Sequence, residues 1–172
     1  MVFLGVAFAD QAPKLVTRAA VPYVGIASTE TLQSMATLFP RLMPKLGAYI
    51  GSHHLKPAGA PFIKYDFVNM PSKLRVELGM PLAKPAQPST GIVVGALPAG
   101  RYAEITHFGD YSELVKSNST LQAWCASHHC KFKMKPGPQW EFASRFESYE
   151  TDPSRQPDHS KWQTDVFYLL TK

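Results

Sequence analysis

The chain has 172 residues, 45% of them hydrophobic, with 18 basic against 13 acidic side chains and a net charge of +5. That is the size and balance of one ordinary soluble domain with a single sizeable core. Two cysteines are too few for a disulfide framework, and no stretch is long and apolar enough to cross a membrane as a helix, so a cytoplasmic setting is expected.

Met1 to Ala9 is apolar and ends in Ala7-Phe8-Ala9, the form of a small-residue cleavage site, but it lacks a basic start and is much shorter than a signal peptide. Residues 1–12 therefore read as a tail or short strand. A strand follows from Leu15 to Ala27, interrupted near Pro22. Leu32, Met35, Phe39, Leu42, Met43, Leu46, Tyr49 and Ile50 keep to one face of a helix. Pro40 and Pro44 predict a kink or break in it, and Ser28 or Thr29 can cap its start. After a Pro/Gly-rich turn come strands from Phe62 to Val68 and from Lys73 to Leu78. The polar, proline-rich stretch 83–91 separates the halves 13–82 and 92–172.

The second half repeats the order. A strand runs from Ile92 to His107 with a turn at Pro98-Ala99-Gly100. Asp110-Tyr111-Ser112-Glu113 has the form of a capping box, and the helix beyond it shows Leu114, Leu121, Trp124, Cys125 and His128 on one face. Strands from Trp140 to Tyr149 and from Trp162 to Leu170 close the chain. Lys131, Lys133 and Lys135, alternating with Phe132 and Met134, read as the solvated face of an edge segment. With no zinc-ligand pattern and no helix-turn-helix, nucleic acid is not an expected partner.

The two halves are copies of one another. Pro61-Phe62-Ile63-Lys64-Tyr65 returns as Arg145-Phe146-Glu147-Ser148-Tyr149, Tyr23 returns as Tyr102, and Lys73-to-Leu78 returns as Lys161-to-Val166. The spacing between copies grows along the chain. Ser52-His53-His54 and Ser127-His128-His129 break that trend and read as coincidence. The fold expected is α+β: two β-α-β-β units related by a pseudo-twofold axis, forming one curved antiparallel sheet. Both helices would cover one face and a ligand groove would occupy the other. Strand alternation would put Ile63, Tyr65, Glu147 and Tyr149 in that groove, with Phe62 and Phe146 in the helix-covered core. A carboxylate where the duplicate has an aliphatic side chain is costly unless paired, which makes Glu147 the first candidate for ligand contact. Tyr65, Tyr149, Trp140, Tyr23 and Tyr102 are candidate walls, and Ile63 is the apolar counterpart.

Leu97-Pro98-Ala99-Gly100-Arg101-Tyr102-Ala103, His107-Phe108-Gly109-Asp110-Tyr111, Leu121-Gln122-Ala123-Trp124, Phe146-Glu147-Ser148-Tyr149-Glu150-Thr151-Asp152-Pro153 and Trp162-Gln163-Thr164-Asp165-Val166 together resemble the GyrI-like small-molecule-binding domain. That is the effector domain of multidrug-sensing bacterial regulators, also found alone in DNA gyrase inhibitory proteins. The resemblance begins at about Pro13. It implies that Glu147 lies in an aromatic pocket and pairs with lipophilic cations. Phe146 stands where the family often has tryptophan, and Lys131 to Lys135 add a basic stretch between the second helix and Glu147. The regulators carry a separate helix-turn-helix, and only about a dozen residues precede the matching region here, so base reading by this chain is not expected.

Two rivals to simple binding follow from the resemblance. Some stand-alone members are similar to hydrolases of cyclopropane-bearing alkylating compounds; Glu147 would then be the catalytic acid or base, with Glu104 or Glu141 as a second carboxylate. A gyrase-like protein partner could instead meet the Lys131–Lys135 stretch. Haem-binding proteins of the SOUL type share the architecture, and the two Ser-His-His groups invite a metal or haem. Adjacent histidines diverge, however, and no Cys, Asp or Glu joins them at ligand spacing, so no cofactor and no metal are expected. They read instead as helix-end residues near the C-terminal dipole.

Overall fold

Each half opens with two strands rather than one. The computed structural model describes residues 10–137 and 141–171, so the reading of Met1 to Ala9 lies outside the described residues. The strand expected from Leu15 to Ala27 is divided into β1 (Lys14–Arg18) and β2 (Val21–Glu30). The break falls at Ala19-Ala20, and Pro22 sits inside β2 near its start, where its missing N–H costs little of the ladder. The counterparts are β5 (Val93–Leu97) and β6 (Gly100–Phe108).

The first helix, α1 (Leu38–Ser52), follows a 3₁₀ turn at Ser34–Thr37. The break thus precedes the helix instead of falling at a proline. Pro40 lies in its first turn, where the N–H would be unpaired anyway, and Pro44 is accommodated within it. Ser28 and Thr29 belong to β2 and do not cap the helix. Leu38, Leu42, Leu46 and Ile50 form its buried stripe. After β3 (Phe62–Asn69) and β4 (Lys73–Pro81), the second half continues with α2 (Leu114–Ser127), β7 (Arg145–Tyr149) and β8 (Gln163–Leu169). Glu141 and Phe142, expected within the strand that became β7, make only isolated bridges to Phe67 and Met134. Lys131 and Lys133 are exposed, while Phe132 packs on Tyr168 with ring centres 4.7 Å apart.

All eight strands join one antiparallel sheet in the order β1-β6-β8-β7-β3-β4-β2-β5. The halves meet at β3 and β7, where Ile63 pairs directly with Glu147. The pseudo-twofold axis therefore passes through the position at which an aliphatic side chain of one copy becomes a carboxylate in the other. Each half also lends its first strand to the other: β1 pairs with β6, and β5 pairs with β2.

The helices pack over the outer strands, α1 on β2 and β4 and α2 on β6. The centre of the sheet is left between them. This corrects the expected groove: the cleft lies on the helix face, not opposite it. Ile63, Tyr65 and Tyr149 share a core with Leu38, Leu42 and Leu121 of the helices. Phe62 and Phe146, expected beneath the helices, face the other way. They form a second core with Tyr23, Tyr102 and Phe167, built from sheet residues alone. There the Phe62 ring lies directly on Gly79, where any side chain would collide with it.

The two Ser-His-His groups are not coincidental. Each ends a helix in the same way. The N–H of Leu55 donates to the Ile50 carbonyl at 3.0 Å and that of His54 to Gly51 at 3.1 Å; Cys130 to Cys125 (2.9 Å) and His129 to Ala126 (3.4 Å) repeat the pattern. This is a Schellman cap with histidine in the left-handed position, at φ 51° for His54 and 55° for His129.

Candidate functional site

Between the helices lies a cavity of about 1550 Å³. Its floor is the β3–β7 junction, with Ile63 and Tyr65 from one half and Arg145, Glu147 and Tyr149 from the other. Met35, Phe39 and Met43 wall it on the α1 side, Leu114, Asn118 and Gln122 on the α2 side. Alternation explains the floor: residues 145, 147 and 149 of β7 all point one way, while Phe146 and Ser148 point the other.

Glu147 is 3% exposed. Its Oε2 accepts from the Tyr65 hydroxyl at 2.7 Å and the Tyr149 hydroxyl at 3.0 Å, and its Oε1 accepts from Asn118 Nδ2 at 2.8 Å. The tyrosines are equivalent residues of the two copies, so the symmetric frame aims two donors at one asymmetric acceptor. Burial, reinforced by the adjacent carboxylate, drives both hydroxyls well above the usual tyrosine range, which keeps them protonated as donors. Tyr149 also meets Phe39 and Tyr111 edge-on, at 4.8 and 5.1 Å between ring centres.

The polar side of the floor extends further. Asn118 Oδ1 accepts from Arg145 Nη2 at 3.0 Å and from the Tyr168 hydroxyl at 2.8 Å, and Tyr168 accepts from Gln122 at 2.9 Å. In the first half, Met43 stands where Asn118 does, nine residues before the terminal serine of its helix. One side of the cleft is thus polar and the other apolar.

Of the residues singled out from sequence, Glu147, Tyr65, Tyr149 and Ile63 come together here. Glu147 lies on the helix side of the sheet, contrary to the expected placement, with both tyrosines beside it. Tyr23 and Tyr102 lie on the other face. Tyr23 donates to Glu77, and Tyr102 donates to the Pro98 carbonyl at 2.7 Å. Trp140 lies outside the described residues. Glu104 is held by Lys14 at 3.3 Å and Glu141 by Arg75, and neither lines the cavity. Asn118 and Arg145 are functional candidates that pattern reading misses. Asn118 carries a signal nonetheless: it is a polar residue in the apolar stripe of Leu114, Leu121 and Cys125.

A duplicated antiparallel sheet with a helix-walled cleft over its junction defines a class of small-molecule-binding domain. The chain belongs to the GyrI-like small molecule binding domain family, whose model matches residues 11–167. Among solved structures, it is similar to the C-terminal domain of EcmrR, with a TM-score of 0.77 and 16% identity over 94% of this chain and 98% of that one. It also matches EcmrR in a complex with DNA, with a TM-score of 0.78 and 17% identity over 95% of this chain. There it spans only 58% of the EcmrR chain. SAV2435 bound to tetraphenylphosphonium has a TM-score of 0.63 and 13% identity over 94% of each chain. At such identities the likeness is one of fold. No curated protein matches the sequence. Among the described residues, no helix is long and apolar enough to cross a membrane.

Proposed function

We propose that this chain is a binding module that captures bulky, lipophilic, aromatic molecules bearing a cationic centre, and that Glu147 supplies the countercharge. The observation that carries this reading is a buried carboxylate on the floor of a largely apolar cavity, at the position its duplicate fills with Ile63. A delocalised cation with aromatic bulk offers that carboxylate charge, while Phe39, Tyr65 and Tyr149 offer ring contacts. The neighbour SAV2435, bound to tetraphenylphosphonium, suits the same reading.

Binding is favoured over acid–base hydrolysis by the fate of the carboxylates. Three donors already hold Glu147 as an acceptor, and Glu104 and Glu141 are engaged elsewhere. A protein partner for the exposed Lys131 and Lys133 draws no support from the cleft.

Calorimetric titration with tetraphenylphosphonium tests the reading. The wild type should bind it, and Glu147→Gln should bind it at least about tenfold more weakly, a loss near 1.4 kcal/mol. Equal affinity in both proteins would overturn the role of Glu147.

A further inference from the structure

The same cleft holds a second buried charge. Arg145 is 8% exposed, lies on the cavity floor and replaces Pro61 of the first copy, so the second half carries charged side chains at two positions where the first has none. Its guanidinium is 4.5 Å from the Tyr65 ring centre and 5.1 Å from that of Tyr168. Nη2 donates to Asn118, but Nε has no partner.

Among the described residues, the hydrogen bond recorded for this guanidinium runs to an amide and not to a carboxylate. The Asn118 amide donates to the Leu114 carbonyl and to Glu147, and its oxygen accepts from Arg145 and Tyr168. The Tyr168 hydroxyl donates to Asn118 and accepts from Gln122, and the Tyr65 hydroxyl donates to Glu147. The Asn118 oxygen is thus already shared between two donors. A buried guanidinium without a carboxylate is expensive, and the Arg145 side chain lines the cavity, from which a ligand can supply one. Glu147 and Arg145 are joined through Asn118 rather than by a direct bond, so neither is consumed by the other.

Building on the binding reading above, we infer that the preferred ligands are dipolar: an aromatic body with a cationic centre facing Glu147 and a carboxylate bound by Arg145. The planar guanidinium fork is suited to a carboxylate, and Arg145 is already desolvated. A plain lipophilic cation would leave the guanidinium without a carboxylate and bring a like charge towards it. Arg145, not Glu147, then decides which aromatic cations the cleft prefers.

A matched pair of probes tests this: butyltriphenylphosphonium and (3-carboxypropyl)triphenylphosphonium, which differ in a terminal methyl against a terminal carboxylate. By calorimetry at neutral pH, the wild type should bind the carboxylate compound at least about tenfold more tightly. Arg145→Met should abolish or reverse that preference. Equal or tighter binding of the butyl compound to the wild type overturns the inference while leaving the binding reading intact, as does an unchanged preference in folded Arg145→Met. Failure of both probes to bind the wild type overturns the binding reading and this inference with it. Should Arg145→Met not fold by circular dichroism, the wild-type ratio decides alone.

Discussion

Glu147 survives in the interior because three donors converge on it, and two of them exist only because the frame is duplicated. Tyr65 and Tyr149 are each held protonated by burial and by the carboxylate between them. Their folded pKa values therefore lie above the unfolded value of about 10. Stability from each is complete below that pH and is lost as pH rises towards the folded value, because only the unfolded chain releases the proton. Each such tyrosine should steepen alkaline destabilisation by about 1.4 kcal/mol per pH unit. Tyr149→Phe should cost about 1–2 kcal/mol at pH 7, from the lost hydrogen bond to Glu147. Between about pH 10.5 and 11.5 its stability, measured by urea unfolding, should fall less steeply than that of the wild type, by the slope of one tyrosine. Parallel curves would contradict this account. At this scale the duplication makes Glu147 legible, since Ile63 provides the reference against which a carboxylate stands out. The same comparison sets Arg145 against Pro61, a change that draws notice only once residue 145 is known to share a strand face with Glu147 on the cavity floor. Asn118 becomes conspicuous only once its helix face is known to look onto the floor.

The helices show what period and punctuation can and cannot reveal. The apolar stripe of α1 is plain in the sequence, but its start is set by a 3₁₀ turn after β2 rather than by a capping side chain. The loop entering α1, residues 31–37, is longer than that entering α2, residues 109–113. The spacing between copies therefore dips at the helices before rising again at the strands. That dip disguises the repeated Ser-His-His caps as chance. Both carry an L-residue at a position suited to glycine, His54 at φ 51° and His129 at φ 55°. His54→Gly or His129→Gly should therefore raise stability by about 0.5–1 kcal/mol, relief of the left-handed strain exceeding the added entropy of the unfolded chain. Thermal unfolding of each variant measures this, and a lowered melting temperature would show that the histidine rings hold the caps. The rings have work to lose: His53 packs on Tyr49 and His128 on Trp124, but the left-handed histidines are the next residues along.

Across the whole molecule, the decisive feature is the exchange of edge strands. Hydrophobic pattern alone allows two self-contained β-α-β-β units laid side by side, because it marks strands without naming their partners. The observed pairing is different, since β1 lies on β6 of the second half and β5 on β2 of the first. Neither half contains its own edge, and β3 and β7 face each other across the junction. The cleft follows from this arrangement: the helices sit over the outer strands and leave the junction uncovered, so the floor needs both copies. Fragments 1–86 and 87–172, divided within the connecting stretch, should therefore fail to fold separately. The first would lack the strands that cover β2 and β3, and the second those that cover β6 and β7. Mixed in equal amounts, they should assemble into one complex with the circular dichroism spectrum of the intact chain. The complex should be less stable and its stability should depend on concentration, because the two parts are no longer tethered. Independent cooperative unfolding of either fragment would show that the exchanged strands are dispensable, and the cleft would then belong to one half rather than to the junction.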